Sequence, residues 1–435
     1  MNSAMKSNNL SPSKKIFYEL YSQAHSKSFN DHNKNSSCMN KKIALLPIAM
    51  LTLGSFSALA DELDTLQFRV GENIVRESNV FRLSDSTNAQ TVLGNSNRSD
   101  NIAITTLGIK LNKSYSLQRV ELDVSAEDHH YSRYSKLNFN ALNYVGAIRW
   151  SVTPFLYGNI TANRRDYVDT YADVQNTGQL NRRSDRLNAA EAEYEVAGPM
   201  HIVGGVFEKS STSSLASTFE GSSRVHGSEA GLRYVAGSGT SLAYRYKNGK
   251  GDYPDRPLSD QFANSFKDRE HEFRFGWEPT GKTTVQARLS QFSRHHDGLS
   301  SRDFSGLTGQ LDANVAVTGK TSIATGLIRE LGSYQTPTTS YFVGNRIFVG
   351  PVWKPTEKTA VRLRYDHGVR DFKGTSGFSG TNRRDTLNIA SLALEWQPIR
   401  ALKLIAFAQQ ENRKSNDFGF NYKNSSIGIS GVFSF

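Results

Sequence analysis

Two pairs of adjacent histidines are the residues of this chain that most resemble a metal-binding or catalytic site. They are His129-His130 and His295-His296, and Asp297 follows the second pair. Neighbouring side chains of a β-strand point to opposite faces, so each pair offers one ligand to a given site and we expect no metal ion. His296, Asp297 and Ser300 have hydrolase-type side chains, but no nucleophile motif surrounds them. The sequence therefore predicts no cofactor and no catalytic residue, and a lipid- or polysaccharide-modifying enzyme is only an alternative.

Charged residues recur at every second position of many apolar stretches. In "VRLRYDHGVR", residues 361–370, Val361 and Leu363 lie on one face of an extended chain and Arg362 and Arg364 on the other. This period of two predicts β-strands with one apolar and one charged face.

The breaks between these stretches are of two alternating kinds. Short turns such as "AGPM" (197–200) and "TGK" (318–320) alternate with long polar connections such as residues 166–183 and 247–266. Counting two strands for each short turn, with one more at each end of the chain, gives about 18 strands. The sequence therefore predicts an all-β fold, a transmembrane antiparallel up-and-down β-barrel over residues 61–435 with short periplasmic turns and long extracellular loops. A soluble propeller is the alternative, but its loops need no such asymmetry.

In a barrel that spans lipid the apolar face points outward, so the charged face lines the lumen. A barrel of this size is wide enough for an aqueous channel, whose charges select among solutes. The alternative role for each charge is pairing across strands to stiffen the wall. The candidate lumen-facing residues are Arg119, Arg149, Arg233, Arg245, Lys247, Arg274, Arg288, Arg346, Arg362, Arg364, Glu191, Glu193, Glu195 and Glu272.

Every tryptophan of the chain stands shortly before a proline-containing break. Tryptophan favours the boundary between membrane and water, and proline is tolerated where a strand leaves its ladder. We therefore expect a periplasmic aromatic girdle made of Trp150, Trp277, Trp353 and Trp396.

The chain ends with "NSSIGISGVFSF", in which apolar and small polar residues alternate up to a terminal phenylalanine. Such an ending resembles the signal that the outer-membrane barrel assembly machinery reads. The residues predicted to carry the signal are Ile427, Ile429, Phe433 and Phe435.

The N-terminal region has the layout of a leader. Residues 39–60 contain two lysines, an apolar run and the small-residue ending Ala58-Leu59-Ala60, which predicts a signal peptide cleaved after Ala60. Residues 1–38 are predicted to be a spurious or disordered extension, with Met39 as the true start. The only cysteine, Cys38, lies in this part, and residues 1–60 together hold seven lysines that contribute much of the net charge of +11. We therefore expect no nucleic acid partner and a location in the bacterial outer membrane, in contact with its lipid.

One segment resembles a known family. "LQFRVGENIVRESNVFRLSD", residues 66–85, is similar to the start of the EpsL family, outer-membrane β-barrels from exopolysaccharide biosynthesis operons. The family pattern usually has an aspartate where Glu77 stands. The resemblance implies a non-enzymatic conduit or accessory for export of an exopolysaccharide, with a polysaccharide and other components of its export system as partners. A general or sugar-selective diffusion porin is the alternative function. The matching residues are Ser78, Asn79, Phe81, Arg82 and Leu83.

Overall fold

The structure is a computed structural model that describes residues 65–168, 181–215, 221–256, 262–336, 338–374 and 383–435. The predicted extension (1–38) and signal peptide (39–60) lie outside these residues. The described part is almost entirely β-structure. Its strands are β1 (Leu66–Glu77), β2 (Asp100–Tyr115), β3 (Gln118–Tyr131), β4 (Phe139–Ser151), β5 (Leu156–Val168), β6 (Arg182–Ala197), β7 (Met200–Ser213), β8 (Ser223–Val235), β9 (Ser241–Asp252), β10 (Ser265–Thr280), β11 (Thr283–His296), β12 (Phe304–Ala316), β13 (Thr321–Thr336), β14 (Thr339–Thr356), β15 (Thr359–Lys373), β16 (Arg384–Ile399), β17 (Leu402–Ser415) and β18 (Tyr422–Ser434).

The strands form one closed antiparallel sheet. Each strand pairs with its neighbours in the sequence, and β1 pairs with β18 to close an 18-stranded barrel. At this junction Phe68 and Phe435 exchange two backbone hydrogen bonds, with N···O distances of 2.7 and 3.0 Å. Closure leaves no unpaired sheet edge, which is the condition for crossing lipid with strands. The predicted fold class is therefore confirmed.

The two ends of the barrel differ in the length of their connections. At the short-turn end, β2 and β3 are joined by residues 116–117 and β14 and β15 by residues 357–358. At the loop end most connections are longer, and the first one, residues 78–99, is called loop L1 below. An exception is the connection of β13 to β14, where residues 337–338 suffice.

L1 contains the one α-helix of the described residues, α1 (Ala89–Leu93). Asn88 caps it, because its Oδ1 accepts hydrogen bonds from the backbone N–H groups of Gln90 and Thr91 at 2.9 and 3.4 Å. Gly94 ends it at φ +69°, in the left-handed conformation that glycine adopts without strain. Three single turns of 3-10 helix occupy other connections at Ser135–Leu137, Ser300–Arg302 and Phe418–Phe420. Among the described residues no helix is long and apolar enough to cross a membrane.

Candidate functional site: the charged lumen

The two faces of the barrel wall differ in chemistry, as the alternation in sequence dictates. On β15 the outward Leu363 and Tyr365 are exposed, whereas the intervening Arg364 and Asp366 are buried on the inner face. The inner face holds all the predicted lumen-facing residues, from Arg119 on β3 to Arg364 on β15. The lumen is therefore lined by charged and polar side chains.

One part of this lining is rich in arginine. Arg346 and Arg364 share a single carboxylate, Asp366, with N···O distances of 3.1 and 2.7 Å. Arg364 also stacks on Phe348, its guanidinium carbon 4.0 Å from the ring centre. Two cations facing one carboxylate leave a positive excess at this wall.

The same sharing occurs on the neighbouring strands. Glu395 on β16 accepts a hydrogen bond from Arg362 Nε at 2.5 Å and lies 3.6 Å from Lys403 Nζ. Because β14, β15, β16 and β17 are consecutive in the barrel, the two clusters form one continuous surface, which we call the basic wall.

The opposite arrangement occurs around β6, where two carboxylates share one arginine. Arg245 Nη1 contacts both Glu191 and Glu229, the latter at 2.7 Å. Glu193 is paired with Arg233 at 2.9 Å, while Glu195 makes no ion pair within the described part of the chain. We call this surface, on β6 and β8, the acidic wall.

In two further clusters one carboxylate is again paired with several cations. Glu272, whose side chain is fully buried, contacts Lys247, Arg274 and Arg288 at 2.9, 2.6 and 3.4 Å. On the other side of the acidic wall, Glu121 lies between two arginines. They are Arg119 at 3.0 Å and Arg149 at 2.8 Å.

Strand order decides how these walls face each other. In a closed sheet of 18 strands, β6 and β15 are nine steps apart in either direction. The glutamates of the acidic wall therefore lie across the lumen from Arg362 and Arg364. Opposed charges across a water-filled space produce a transverse electric field, which orients dipolar solutes during passage.

Loop L1 is held against the inner face at the loop end by a buried ion pair. Arg82 Nε lies 3.2 Å from Glu411 Oε2 of β17, and its guanidinium also contacts Glu77 of β1. Burial alone lowers the pKa of Arg82, but these two carboxylates outweigh burial and raise it above the usual value. Arg82 adopts φ +52°, a left-handed conformation that few arginines occupy, so the contacts compensate for backbone strain.

Polar contacts to β18 hold the start of the same loop. The backbone N–H of Asn79 donates to Asn424 Oδ1 at 2.9 Å, and its side-chain amide donates to the Leu83 and Lys423 carbonyls at 2.8 and 3.1 Å. Ser78 Oγ accepts the backbone N–H of Ser425 at 2.7 Å. The residues that carry the family resemblance are thus the residues that anchor L1.

An apolar cluster completes this anchor. Phe81 is 1% exposed and packs edge-to-face on Tyr134, with ring centres 4.9 Å apart. Leu83 and Leu137 belong to the same cluster, which extends to β4 and β5. L1 therefore covers the lumen wall from β17 through β18 and β1 to β5.

The structure separates the residues that the sequence offered as a hydrolase-type group. His296 is buried beside Gln335, 2.8 Å away, whereas Asp297 pairs with Lys267 on the outer side. No hydrogen bond joins His296 to Ser300 in this part of the chain. No group of three or more histidine, cysteine or acidic residues with metal-binding geometry occurs among the described residues.

The outer face shows what surrounds the barrel. Its outward positions carry large apolar side chains that are about half exposed, such as Leu107 (57%), Val206 (59%) and Ile429 (62%). A wide belt of this kind around a closed sheet is stable in hydrocarbon, not in water. The chain is an outer-membrane β-barrel.

The predicted girdle tryptophans lie at the short-turn end of their strands, which is the periplasmic side in such barrels. Trp277, Trp353 and Trp396 are about half exposed on the outer face. Each of the three comes directly before a shift in strand register, and the following proline falls in the shifted segment. Proline is accommodated there because the regular ladder is interrupted. Trp150, also outward, lies over Gly158 of the next strand, where a Cβ would come within 2.5 Å of the indole.

The last strand places the predicted assembly residues on the outer face as well. Ile427, Ile429, Phe433 and Phe435 are all exposed there. Phe435 stacks on Phe68 with ring centres 5.9 Å apart, so the last residue takes part in barrel closure. Their role as a recognition signal stays a prediction.

Comparison with known proteins adds the following. No protein-family model matches the chain, and no curated protein matches it in sequence. Among solved structures, the outer membrane protein OpdK from Pseudomonas aeruginosa is similar with a TM-score of 0.44 and 12% identity, covering 85% of this chain and 99% of that one. OccAB3 from Acinetobacter baumannii is similar with a TM-score of 0.47 and 8% identity, and the match again covers 85% of this chain and 99% of that one. The siderophore receptor PirA from P. aeruginosa is similar with a TM-score of 0.40 and 11% identity, and the match covers 85% of this chain and 80% of the receptor chain.

Sequence reasoning missed several residues that matter here. Glu411, Asn424 and Tyr422 anchor L1, and Tyr422 Oη donates to Glu411 Oε1 at 2.6 Å. The only available signal was that Glu411 is an acidic residue on the inner face of a strand, which many other residues share. Their importance comes from L1, which is distant in sequence.

Proposed function

We propose that the barrel is a diffusion porin for small charged or polar solutes. The observation that carries the proposal is the opposition of an acidic wall on β6 and a basic wall on β15 inside one closed barrel. A barrel of 16–18 strands leaves an aqueous channel. A transverse field across that channel favours solutes that carry a dipole or a charge.

The proposal includes a modest preference for anions. At least six inward carboxylates each face two or more cations, and the reverse ratio is found at Glu191 and Glu229. The potential along most of the wall is therefore positive, which raises the local concentration of anions. The carboxylates that are shared by several cations are Glu121, Glu270, Glu272, Asp366, Asp385 and Glu395.

Loop L1 supports a limit on solute size. It is anchored against the inner face at the extracellular mouth, where it occupies space that solutes would otherwise use. Its anchors are buried, and a buried ion pair is not released without cost. We therefore expect passage of small solutes and exclusion of large ones while L1 remains in place.

The test uses the purified barrel in planar bilayers and in liposomes. We expect stepwise conductance, a reversal potential displaced toward the chloride equilibrium in a KCl gradient, and swelling of liposomes by small sugars and amino acids but not by long oligosaccharides. A barrel that is folded but neither conducts nor supports swelling would contradict the porin function.

A second candidate, export of an exopolysaccharide, is favoured by the resemblance of residues 66–85 to the EpsL family. It requires a polysaccharide and further export components as partners, and L1 would have to move aside for the polymer. Neither candidate assigns a catalytic step to the chain. Block of the conductance by purified polysaccharide, together with loss of secreted polymer in a deletion strain, would favour export over diffusion.

A further inference from the structure

Glu72 is a carboxylate on the lipid-facing side of the barrel. On β1 the outward residues are Phe68, Val70, Glu72 and Ile74, so Glu72 has apolar side chains both below and above it. Phe68 is 41% exposed and Ile74 50%, as expected of side chains in contact with hydrocarbon. Glu72 therefore lies within the apolar belt, away from its edges.

Charged side chains are rare at the outward positions of this belt. The belt is bounded on one side by the tryptophan girdle and on the other by a polar rim that begins at residues such as Arg76, His271 and Arg329. Between these limits most other outward positions of the described strands carry aliphatic, aromatic, glycine, threonine or proline residues. The nearest outward acid is Asp128 of β3, which is in register with Thr105 but stands three residues from the loop end of its strand, whereas Glu72 stands five residues from the loop end of β1.

The surroundings of Glu72 leave it largely unsatisfied. Thr105 Oγ1 of β2 donates a hydrogen bond to Glu72 Oε2 at 2.7 Å, and no ion pair to Glu72 occurs within the described residues. In register with Glu72 on the other side stands Gly431 of β18, which has no side chain. Glu72 therefore has no side-chain neighbour in register on β18, and the next side chain on that side is Leu404 of β17, whose Cδ2 would lie 3.4 Å from a Cβ at Gly431. A carboxyl group facing lipid destabilises a barrel unless it has a partner at that depth.

We propose that the outer wall around Glu72 is the contact between two copies of the chain, related by a two-fold axis that passes beside Glu72. The belt of a second copy offers no cation among its described residues, so the group able to satisfy Glu72 at this depth is the Glu72 of that copy. A two-fold axis places the same residue against itself. Two carboxyl groups that face each other are self-complementary when each carries a proton, because each then donates one hydrogen bond and accepts another. Gly431 lets the two walls approach closely.

Cysteine cross-linking in the membrane tests this contact. In a Cys38→Ser background, the Glu72→Cys variant is treated with a short bismaleimide in isolated outer membranes. We expect a covalent dimer of the chain. Leu289→Cys is the matched control, since it occupies a similarly outward position on β11; it is expected to stay monomeric.

Substitutions without cysteine keep the inference falsifiable. Glu72→Gln retains a self-complementary amide and is expected to keep the dimer seen by native mass spectrometry. Glu72→Lys, which brings two cations together, is expected to abolish it, while heat-modifiable migration shows that the barrel is folded. The inference is wrong if the wild-type chain is monomeric in bilayers, if Glu72→Lys leaves the dimer intact, or if the Glu72→Cys variant cross-links to a different membrane protein.

Discussion

Arg82 Nε and Glu411 Oε2 lie 3.2 Å apart although 329 residues separate them in the sequence. The pair joins loop L1 to β17 across the seam where the first and last strands meet. Both side chains are buried, Glu411 completely. L1 thus depends on barrel closure, and we expect the width of the extracellular mouth to depend on L1.

Replacing Arg82 with alanine is therefore expected to release L1. Glu411 would remain buried without its cation, and the loss of one partner from a buried pair costs about 3 kcal/mol or more. We expect a larger single-channel conductance and faster liposome swelling by oligosaccharides, with the barrel still assembled. Arg76 lies at the same loop end but is exposed on the outer face. Arg76→Ala is therefore the control and should change neither the conductance nor the swelling rate. Unchanged conductance in Arg82→Ala would show that L1 does not narrow the mouth.

Reversing charge on the basic wall is expected to reverse the ionic preference. In the double variant Arg362→Glu and Arg364→Glu, Asp366 and Glu395 lose their closest cations and the wall becomes negative. The reversal potential in a KCl gradient should move toward the potassium equilibrium while assembly is retained. Arg384→Glu on the outer face is the matched control. Equal reversal potentials for wild type and double variant would mean that these arginines do not act on the permeating ions.

A single substitution at Glu195 tests the acidic wall without breaking an ion pair. It is half-buried near the periplasmic end of the lumen and has no ion pair in the described part of the chain. Glu195→Lys should strengthen the anion preference in bilayer recordings, while stability changes by at most about 0.5 kcal/mol, because no paired contact is lost. Glu357→Lys in an exposed short turn serves as control. A shift of Glu195→Lys toward cations would contradict the assignment of an acidic wall.

The last residue is expected to matter for assembly more than for the stability of the finished barrel. Phe435→Ala should lower the amount of folded barrel in cells, measured by heat-modifiable migration, yet the purified chain should still refold in detergent. Phe273→Ala removes an outward phenylalanine from the middle of the wall and is the control. If both variants assemble equally well in cells, Phe435 is not part of a recognition signal.

Much of the fold could be predicted from the sequence, and the reason is local. Strand residues alternate strictly between two faces, so the pattern around Arg362 and Leu363 specifies both a strand and its orientation. Tryptophans before prolines mark strand ends, because the membrane boundary and the end of the ladder coincide there. These signals lie within single strands, which is why the number of strands could be counted from the sequence alone.

The relations between distant strands could not be obtained in this way. Nothing near Glu193 indicates that its wall faces Arg364, since that follows from the order of strands in a closed ring. Asn79 and Arg82 were recognisable as a motif, but their partners Asn424 and Glu411 become apparent only when β18 pairs with β1. Glu72 is a further case. In the sequence it resembles the other charged residues, and only the alternation along β1 in the closed barrel places it on the outer face.

The sequence by itself determined that this chain forms a wall with an apolar side and a charged side, because side-chain alternation is a property of each strand alone. Only the tertiary structure decided which charges oppose each other, which loop enters the mouth and which carboxyl group faces lipid. Those outcomes depend on closure, and closure joins residues that the chain keeps hundreds of positions apart.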